Sequence, residues 1–227
     1  GYADSFLNYA QDVNEDGWMD LICFDFPGKE VYWFENPAGQ DVLWKRNLID
    51  SIASNESPMN VDVDNDGKKD LVFGNEKLGQ MAWYAPVVKA KKVTWKRSAI
   101  SEPSAKGVGL FSHGLGFGDI NGDGRKDVMI RGGWWEAPAD LKVSPWKWHE
   151  ADLGESCAQM ITYDFDSDGD ADVVSSSAHE YGVWWYEQKF DSNKNSYFVT
   201  HTIDSTFSES HSLVLEAVNR DGLPDLI

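Results

Sequence analysis

The fold prediction for this chain rests on an acidic nonapeptide, Asp62-Val-Asp-Asn-Asp-Gly-Lys-Lys-Asp70. Aspartates occupy positions 1, 3, 5 and 9 of the nonapeptide, and a glycine occupies position 6. Oxygen ligands at alternate positions can converge on one hard cation, and the glycine permits the turn that brings the chain back. The stretch therefore predicts a loop that holds a divalent cation through side-chain oxygens.

The same pattern, D-x-[DN]-x-D-G-x-x-D, recurs along the 227 residues, with one copy incomplete. The copies are numbered loop 1 (12–20), loop 2 (62–70), loop 3 (119–127), loop 4 (164–172) and loop 5 (217–225). Successive copies begin 50, 57, 45 and 53 residues apart, which is about the length of a four-stranded propeller blade. Loop 5 has lost its first carboxylate, because Ala217 replaces the aspartate found in the other copies.

Calcium is the cation that this donor set favours, because the loops offer many protein oxygens and Mg²⁺ tends to keep its waters. Position 12 of loops 1 to 4 is never a glutamate, which excludes an EF-hand. We expect four to five Ca²⁺ sites, mainly structural, with loop 5 the weakest. The predicted ligands are Asp12, Asn14, Asp16, Asp20, Asp62, Asp64, Asp66, Asp70, Asp119, Asn121, Asp123, Asp127, Asp164, Asp166, Asp168, Asp172, Asn219, Asp221 and Asp225.

Each repeat also predicts four strands around its loop. Strand A precedes the loop, strand B is the short apolar run after it, and strand C is aromatic, as in 31–37. Strand D closes the unit, as in 44–50. Alternating apolar residues, punctuated by Pro, Gly and Asp, favour strands over helices. The tryptophans of strands C and D either fill the space between blades or form a glycan-stacking platform.

The repeats resemble the FG-GAP/VCBS family of calcium-binding β-propeller repeats. The resemblance rests on the nonapeptide, the apolar strand after it and W-[FYW]-E further on, and it covers essentially the whole chain. It implies an all-β fold, a β-propeller of four-stranded antiparallel blades. We expect one propeller domain over 1–227, with repeats at about 1–52, 53–103, 104–154, 155–206 and 207–227.

The strand count predicts an incomplete ring. Five A and B strands but four C and D strands amount to about 4.5 blades, and the last repeat stops within an apolar strand. The expectation is a piece of a longer propeller of seven blades, incomplete at its C-terminus, with further blades or domains in a longer chain.

The acidic composition excludes several partners. The net charge is −18, but 16 of the 38 acidic residues are predicted ligands, which leaves 22 against 20 Lys and Arg. No basic stripe is available for nucleic acid or for an anionic membrane surface. No apolar run reaches 18 residues, so no membrane insertion is expected. Cys23 and Cys157 are expected to be free and buried, and calcium loops of modest affinity favour a secreted or cell-surface protein.

Three histidines are candidates for a second site. His113 and His211 both lie six residues before their loops, at the entry to strand A, and Glu56 holds that position in the second repeat. His179 lies in a B–C connection, close to Tyr181, and that connection and the entry to strand A share one end of a propeller. Three imidazoles and a carboxylate can hold Zn²⁺, and a tyrosine can act as acid or base. The alternative is a set of histidines that are hydrogen-bonded in a channel or exposed on a loop.

Three functions are compatible with these patterns. The leading hypothesis is a calcium-stabilised module of a secreted or surface protein that binds a glycan or a protein through its loop face. The alternative is a metal-assisted carbohydrate lyase or dehydratase with catalytic His113, His179, His211 and Tyr181. Some sugar dehydratases and polysaccharide lyases are similar in using His and Tyr on a propeller face. The third is a structural spacer in a large surface protein.

Overall fold

The computed structural model describes residues 5–155, 157–193 and 195–227, and every regular element in these ranges is a β-strand. The all-β prediction is therefore confirmed. None of the described residues belongs to a helix that could cross a membrane. The chain divides into two compact units, of which the first ends at Ser112 and the second begins at His113.

The first unit contains two four-stranded antiparallel sheets, each with its strands in sequence order. Each sheet corresponds to the four strands predicted for one repeat. The strands of the first sheet are β1 (Ser5–Gln11), β2 (Asp20–Asp25), β3 (Lys29–Glu35) and β4 (Lys45–Ala53). Those of the second sheet are β5 (Met59–Val61), β6 (Asp70–Asn75), β7 (Gln80–Lys89) and β8 (Lys92–Ala99).

The second unit contains the next two repeats and a short hairpin from the last one. The third repeat forms β9 (Leu115–Gly118), β10 (Asp127–Ile130), β11 (Gly133–Glu136) and β12 (Lys147–Glu150). The fourth forms β13 (Gln159–Tyr163), β14 (Asp172–Ser176), β15 (Tyr181–Phe190) and β16 (Ser196–Ser208). The hairpin pairs β17 (Leu215–Glu216) with β18 (Asp225–Leu226).

The third and fourth repeats share one eight-stranded sheet, whereas the sequence predicts separate blades. Their first strands pair in parallel, with Leu115 opposite Gln159 and Gly116 opposite Met160. Gly116 permits this approach, because a Cβ atom there would lie 2.8 Å from the carbonyl oxygen of Met160. The two repeats are thus joined by backbone pairing as well as by side-chain packing.

In the first unit, aromatic rings join the two sheets. Phe24 of β2 meets Phe73 of β6 edge to face with centroids 5.4 Å apart, and Phe73 stacks on Tyr84 at 4.3 Å. Trp33 is buried in the same core, as expected for a strand C tryptophan. Trp44 is 41% exposed, because it precedes β4 instead of lying in it, so its predicted role as inter-blade filling is wrong.

Two apolar cores lie among the described residues of the second unit. One lies between the third and fourth repeats and includes Trp134, Met160 and Tyr186. The other joins the fourth repeat to the last one, where Leu213 packs with Cys157 and others. Cys157 and Cys23 are both free and buried, as predicted.

Replacing Gly116 by alanine should destabilise the second unit. The added Cβ would also lie 2.7 Å from Cγ of Met129, so a backbone or side-chain shift is unavoidable. We expect the free energy of unfolding to fall by about 1–3 kcal/mol, measured by urea denaturation. Gly109→Ala is the control, because Gly109 is exposed and its nearest neighbour would lie 3.7 Å away. Equal unfolding midpoints for the two variants would contradict the role of Gly116.

Candidate functional site

The acidic nonapeptides form the connections between the first and second strands of every repeat. Their backbones share two residues in the left-handed region. Position 6 is the glycine, with φ between 85° and 99° in the five loops. Position 4 is also left-handed, with φ between 57° and 70°, although its side chains have little in common. The residues at position 4 are Glu15, Asn65, Gly122, Ser167 and Arg220. Sequence reasoning missed position 4, because no single residue type marks it.

The first aspartate of loops 1 to 4 organises the turn. In loop 3, the N–H of Asp123 donates to Oδ1 of Asp119 at 3.0 Å, and the N–H of Gly124 donates to Oδ2 at 2.7 Å. The same two bonds recur in loops 1, 2 and 4. These bonds turn both carboxylate oxygens into the loop, where each keeps a further lone pair for a cation.

The side chains at positions 3 and 5 also point inward. In all five loops, a side-chain oxygen at position 3 accepts a hydrogen bond from the backbone N–H of position 5. A side-chain oxygen at position 5 accepts one from the backbone N–H of position 7. The N···O distances are 2.8–3.3 Å. Oxygens of Asp62, Asp64 and Asp66 lie within 4.8 Å of one another, as do those of Asp164, Asp166 and Asp172. An all-oxygen donor set of this kind fits Ca²⁺.

The concentration of negative charge in loop 4 also fits a dication. Burial, followed by the charges of Asp168 and Asp172, raises the pKa of Asp170 to about 6. Lys189 partly offsets this charge from 3.3 Å at Asp168 and 3.6 Å at Asp166. A bound Ca²⁺ would neutralise two charges at the centre of the loop, where a lysine ammonium neutralises one at its edge.

The aspartate at position 9 has a structural role that the sequence did not reveal. Oδ2 of Asp127 accepts the N–H of Ile120 at 3.0 Å, and Oδ1 accepts the N–H of Ala137 at 2.8 Å. One buried carboxylate therefore ties the start of the loop to the end of strand C. Asp20 and Asp172 make the same two bonds.

Loop 2 shows what happens when one of these bonds cannot form. Asp70 accepts the N–H of Val63 at 3.0 Å, but the residue that corresponds to the second donor is Pro86, which has no N–H. Burial raises the pKa of Asp70 to about 7, and the bond from Val63 opposes it. Burial also raises the pKa of Asp127 to about 7, although the hydrogen bonds from the backbone N–H groups of Ala137 and Ile120 act to lower it.

Loop 5 lacks the bonds that depend on a carboxylate at position 1. Ala217 has no acceptor for the N–H groups of Asp221 and Gly222. The rest of the loop is retained, since Asp225 accepts the N–H of Val218 at 2.9 Å and Asn219 accepts that of Asp221 at 2.8 Å. The loop therefore keeps the backbone form of the others with one ligand fewer.

The three candidate histidines lie together in the second unit. The ring centroids of His113 and His179 are 4.7 Å apart, those of His179 and His211 are 5.3 Å apart, and those of His113 and His211 are 5.6 Å apart. One ring nitrogen from each of the three histidines lies within 4.8 Å of the other two. We call these residues the histidine cluster. His113 is half-buried, and the other two are exposed.

Tyr181 and Glu56 are the other two candidates for the second site. Tyr181 begins β15 opposite Ser208 and is 63% exposed, and Glu56 belongs to the first unit. His149 and His201 are half-buried, each between a ring and a carboxylate. His149 stacks on Trp134 at 4.1 Å and bonds Glu136 at 2.7 Å. His201 makes the corresponding stack and bond in the fourth repeat, because strands C and D place the three groups side by side.

Strand order, loop position and repeat length together define a class of all-β repeat protein with an acidic loop in each repeat. The FG-GAP-like repeat family matches the chain at residues 12–73, 62–130 and 164–227. These matches cover more than half of the chain, which therefore belongs to the FG-GAP-like repeat family.

Two individual proteins are similar to this chain. The T-cell immunomodulatory protein homolog of Plasmodium falciparum (isolate 3D7) is 27% identical in an alignment of 137 residues, and the alignment covers 52% of this chain and 18% of that protein. The chain thus spans less than a fifth of that curated relative. The crystal structure of the V. cholerae biofilm matrix protein Bap1 aligns over 97% of this chain and 34% of its own, with a TM-score of 0.45 and 16% identity.

Asp127→Asn should destabilise the second unit even without calcium. An amide keeps one acceptor oxygen and places an NH₂ group against a backbone N–H, which leaves a buried donor unsatisfied. We expect a loss of about 2–4 kcal/mol in the free energy of unfolding, measured in EDTA. Asp123→Asn is the matched control, because Asp123 is exposed at position 5 of the same loop. Equal effects of the two changes in EDTA would contradict the structural role of position 9.

Ala217→Asp should strengthen loop 5. The new carboxylate would accept the N–H groups of Asp221 and Gly222 and supply the missing anionic ligand. We expect about tenfold tighter calcium binding at this loop, or ~1.4 kcal/mol, in a calorimetric titration. Ala217→Asn is the control, because it supplies an acceptor of the same shape without the charge. Identical titrations for Ala217→Asp and the unmodified chain would show that position 1 is not a ligand.

Proposed function

We propose that this chain is a calcium-stabilised recognition module of a secreted or cell-surface protein. The observation that carries the proposal is the repetition of one loop geometry, with the same two left-handed positions in all five copies and the same inward carboxylates in four. A single acidic turn would have little weight. Four turns that each direct carboxylate oxygens inward favour the same kind of ligand in each turn, and Ca²⁺ matches the donor chemistry.

The location follows from the expected affinity. Loops built from three or four carboxylates, each exposed to water on one side, resemble extracellular calcium modules that bind in the millimolar range. Such loops would be filled outside the cell, where calcium is abundant, and largely empty in the cytosol. We therefore place the module outside the cell.

A groove in the second unit is our candidate for the ligand site. It has a volume of about 620 Å³ and is lined by Glu136, His149, Phe190 and Tyr197, among others. The hydrogen bond from His149 lowers the pKa of Glu136, so this carboxylate is a charged acceptor at neutral pH. Phe190 and Tyr197 are about half exposed. Flat aromatic faces beside a carboxylate suit the apolar faces and hydroxyl groups of a sugar, so a glycan is the proposed ligand.

Calcium and the groove are connected through loop 3. Asn121, at position 3 of that loop, also lines the groove. Its amide nitrogen donates to Oδ2 of Asp123 at 2.9 Å, so the orientation of the amide depends on the carboxylates of the loop. Calcium in loop 3 would bind the Asn121 oxygen and fix that side chain. Glycan binding should therefore be stronger in calcium than in EDTA.

A metal-assisted carbohydrate lyase or dehydratase is the second candidate. The observation that favours it is the histidine cluster, because three imidazoles that leave a coordination position open are typical of catalytic zinc. Tyr181, two residues after His179, is the acid or base in this proposal. Incubation with Zn²⁺ and a uronic-acid polysaccharide, followed by ultraviolet detection of an unsaturated product, distinguishes it from a module that binds without turnover.

The test of the recognition module combines stability with binding. Saturating calcium should stabilise the folded chain by about 2.7 kcal/mol per site at 100 times the Kd, so the Tm should fall in EDTA. On immobilised neutral and acidic polysaccharides, Glu136→Gln should weaken binding at least about tenfold, which is ~1.4 kcal/mol. Glu187→Gln is the matched control, because Glu187 makes the corresponding bond to His201 in the next repeat and is not part of the groove lining.

Equal Tm values in calcium and EDTA would contradict the calcium proposal. Failure to bind any polysaccharide in calcium, with the Tm still raised by calcium, would contradict the glycan proposal and point to a protein ligand. Equal losses in Glu136→Gln and Glu187→Gln would show that the groove is not the binding site.

A further inference from the structure

We propose that the histidine cluster binds one divalent transition-metal ion, of which Zn²⁺ is the best match. This site is separate from the calcium loops and does not depend on the recognition function. The cluster consists of three imidazoles from three segments of the second unit, and its donor atoms are nitrogens rather than oxygens.

The ring spacing fits a metal centre. A ligating imidazole has its ring centroid about 3.2 Å from a zinc ion when the Zn–N distance is about 2.0–2.1 Å. Two such rings at a tetrahedral angle therefore have centroids about 5.2 Å apart. The three observed separations are 4.7, 5.3 and 5.6 Å, which bracket this value. Small side-chain rotations of the exposed His179 and His211 would bring the nitrogens to a common ion.

The tautomer of His211 also fits a ligand. Nδ1 of His211 lies 3.0 Å from the carbonyl oxygen of Glu209. A carbonyl oxygen can only accept, so Nδ1 carries the proton, and in the neutral ring Nε2 then has the lone pair that a metal needs. A hydrogen bond from the far nitrogen to a backbone carbonyl is the outer-shell arrangement that orients metal-binding histidines.

Two segments of the cluster are held together by the backbone. The N–H of Ser210 donates to the carbonyl oxygen of Ser177 at 3.0 Å, and the N–H of Glu209 donates to that of Glu180 at 3.0 Å. These two bonds flank His179 on one segment and precede His211 on the other. The two exposed imidazoles are therefore presented by a fixed pair of chain segments, which reduces the entropy lost on binding an ion.

Buried leucines anchor the two histidines that precede strand A. His113 and His211 each lie two residues before a leucine, and Leu115 and Leu213 are 1% and 6% exposed. Leu115 begins β9, whose pairing with β13 fixes its position in the sheet. The repeated H-x-L pattern thus places two imidazoles by the same device in two repeats, and His179 comes from the connection between β14 and β15.

The chemistry of the donors selects the metal. Imidazole nitrogens favour Zn²⁺, Cu²⁺ or Ni²⁺, whereas Ca²⁺ requires hard oxygen ligands. Three histidines leave one tetrahedral position open, and the exposure of His179 and His211 places that position within reach of water or a small ligand. The chain would therefore bind two kinds of metal at two kinds of site without competition between them.

Titration of the chain with ZnCl₂ in calcium-saturated buffer tests this inference. Excess calcium keeps the acidic loops occupied, so the added metal reports on nitrogen donors. We expect one strong Zn²⁺ site per chain by calorimetry, and a visible absorption band of tetrahedral Co²⁺ when CoCl₂ replaces ZnCl₂. His179→Ala and His211→Ala should each weaken binding at least about 100-fold, since even outer-shell changes cost 10–100-fold.

The controls separate metal binding from other effects. His201→Ala removes a half-buried histidine that is bonded to Glu187 outside the cluster, and it should leave the Zn²⁺ site intact. Because His179 and His211 are exposed, their alanine variants should keep the calcium-dependent Tm of the unmodified chain. That Tm, measured on the same samples, distinguishes failure of this site from failure of the calcium proposal.

Three results would overturn the inference. The first is the absence of a stoichiometric Zn²⁺ site in the unmodified chain, which would mean that the rings only pack against one another. The second is unchanged Zn²⁺ affinity in the His179→Ala, His211→Ala double variant. The third is an equal loss of affinity in His201→Ala, which would indicate non-specific histidine binding.

Discussion

A buried carboxylate that accepts two backbone N–H groups is the interaction on which the repeats depend. The aspartate at the start of strand B links the start of the acidic loop to the end of strand C. This arrangement is found for Asp20, Asp127 and Asp172. An unmet N–H in this buried position would cost about 1–3 kcal/mol. The bond therefore fixes where strand C ends, and with it the aromatic residues that fill the cores. Loop 2, where Pro86 removes one donor, retains half of the arrangement.

The same constraint explains how a dense set of acidic residues can fold. Most loop carboxylates accept N–H bonds from their own turn, so the turn is formed in part by the groups that would bind calcium. The energetic conflict is the mutual repulsion of the carboxylates, which, after burial, contributes to the raised pKa of Asp170. In the proposed function, calcium relieves this repulsion, while in its absence cations such as Lys189 do so partially.

Much of the fold could be predicted from the sequence, because the signals are local and repeated. The strands predicted at 31–37 and 44–50 correspond to β3 (Lys29–Glu35) and β4 (Lys45–Ala53), and both cysteines are buried and free as expected. The parallel pairing of β9 with β13 was missed, because it depends on the absence of a side chain at Gly116. The stacking of His149 and His201 on tryptophans was also missed. It depends on which residues of strands C and D lie opposite each other, and the sequence pattern does not specify that register.

The sequence by itself determined the loops, because their donors, acceptors and glycine lie within nine residues and short-range geometry governs them. It also determined the strands, since alternation and turn residues act over similar distances. Only the tertiary structure decided that His113, His179 and His211 share one place. These residues come from segments that are 66 and 32 residues apart, and their spacing depends on β9 and β13 pairing, on Leu213 packing and on the bonds between Ser177 and Ser210. A common offset before two loops indicated a shared end, but distances between rings are set by contacts that no local pattern encodes.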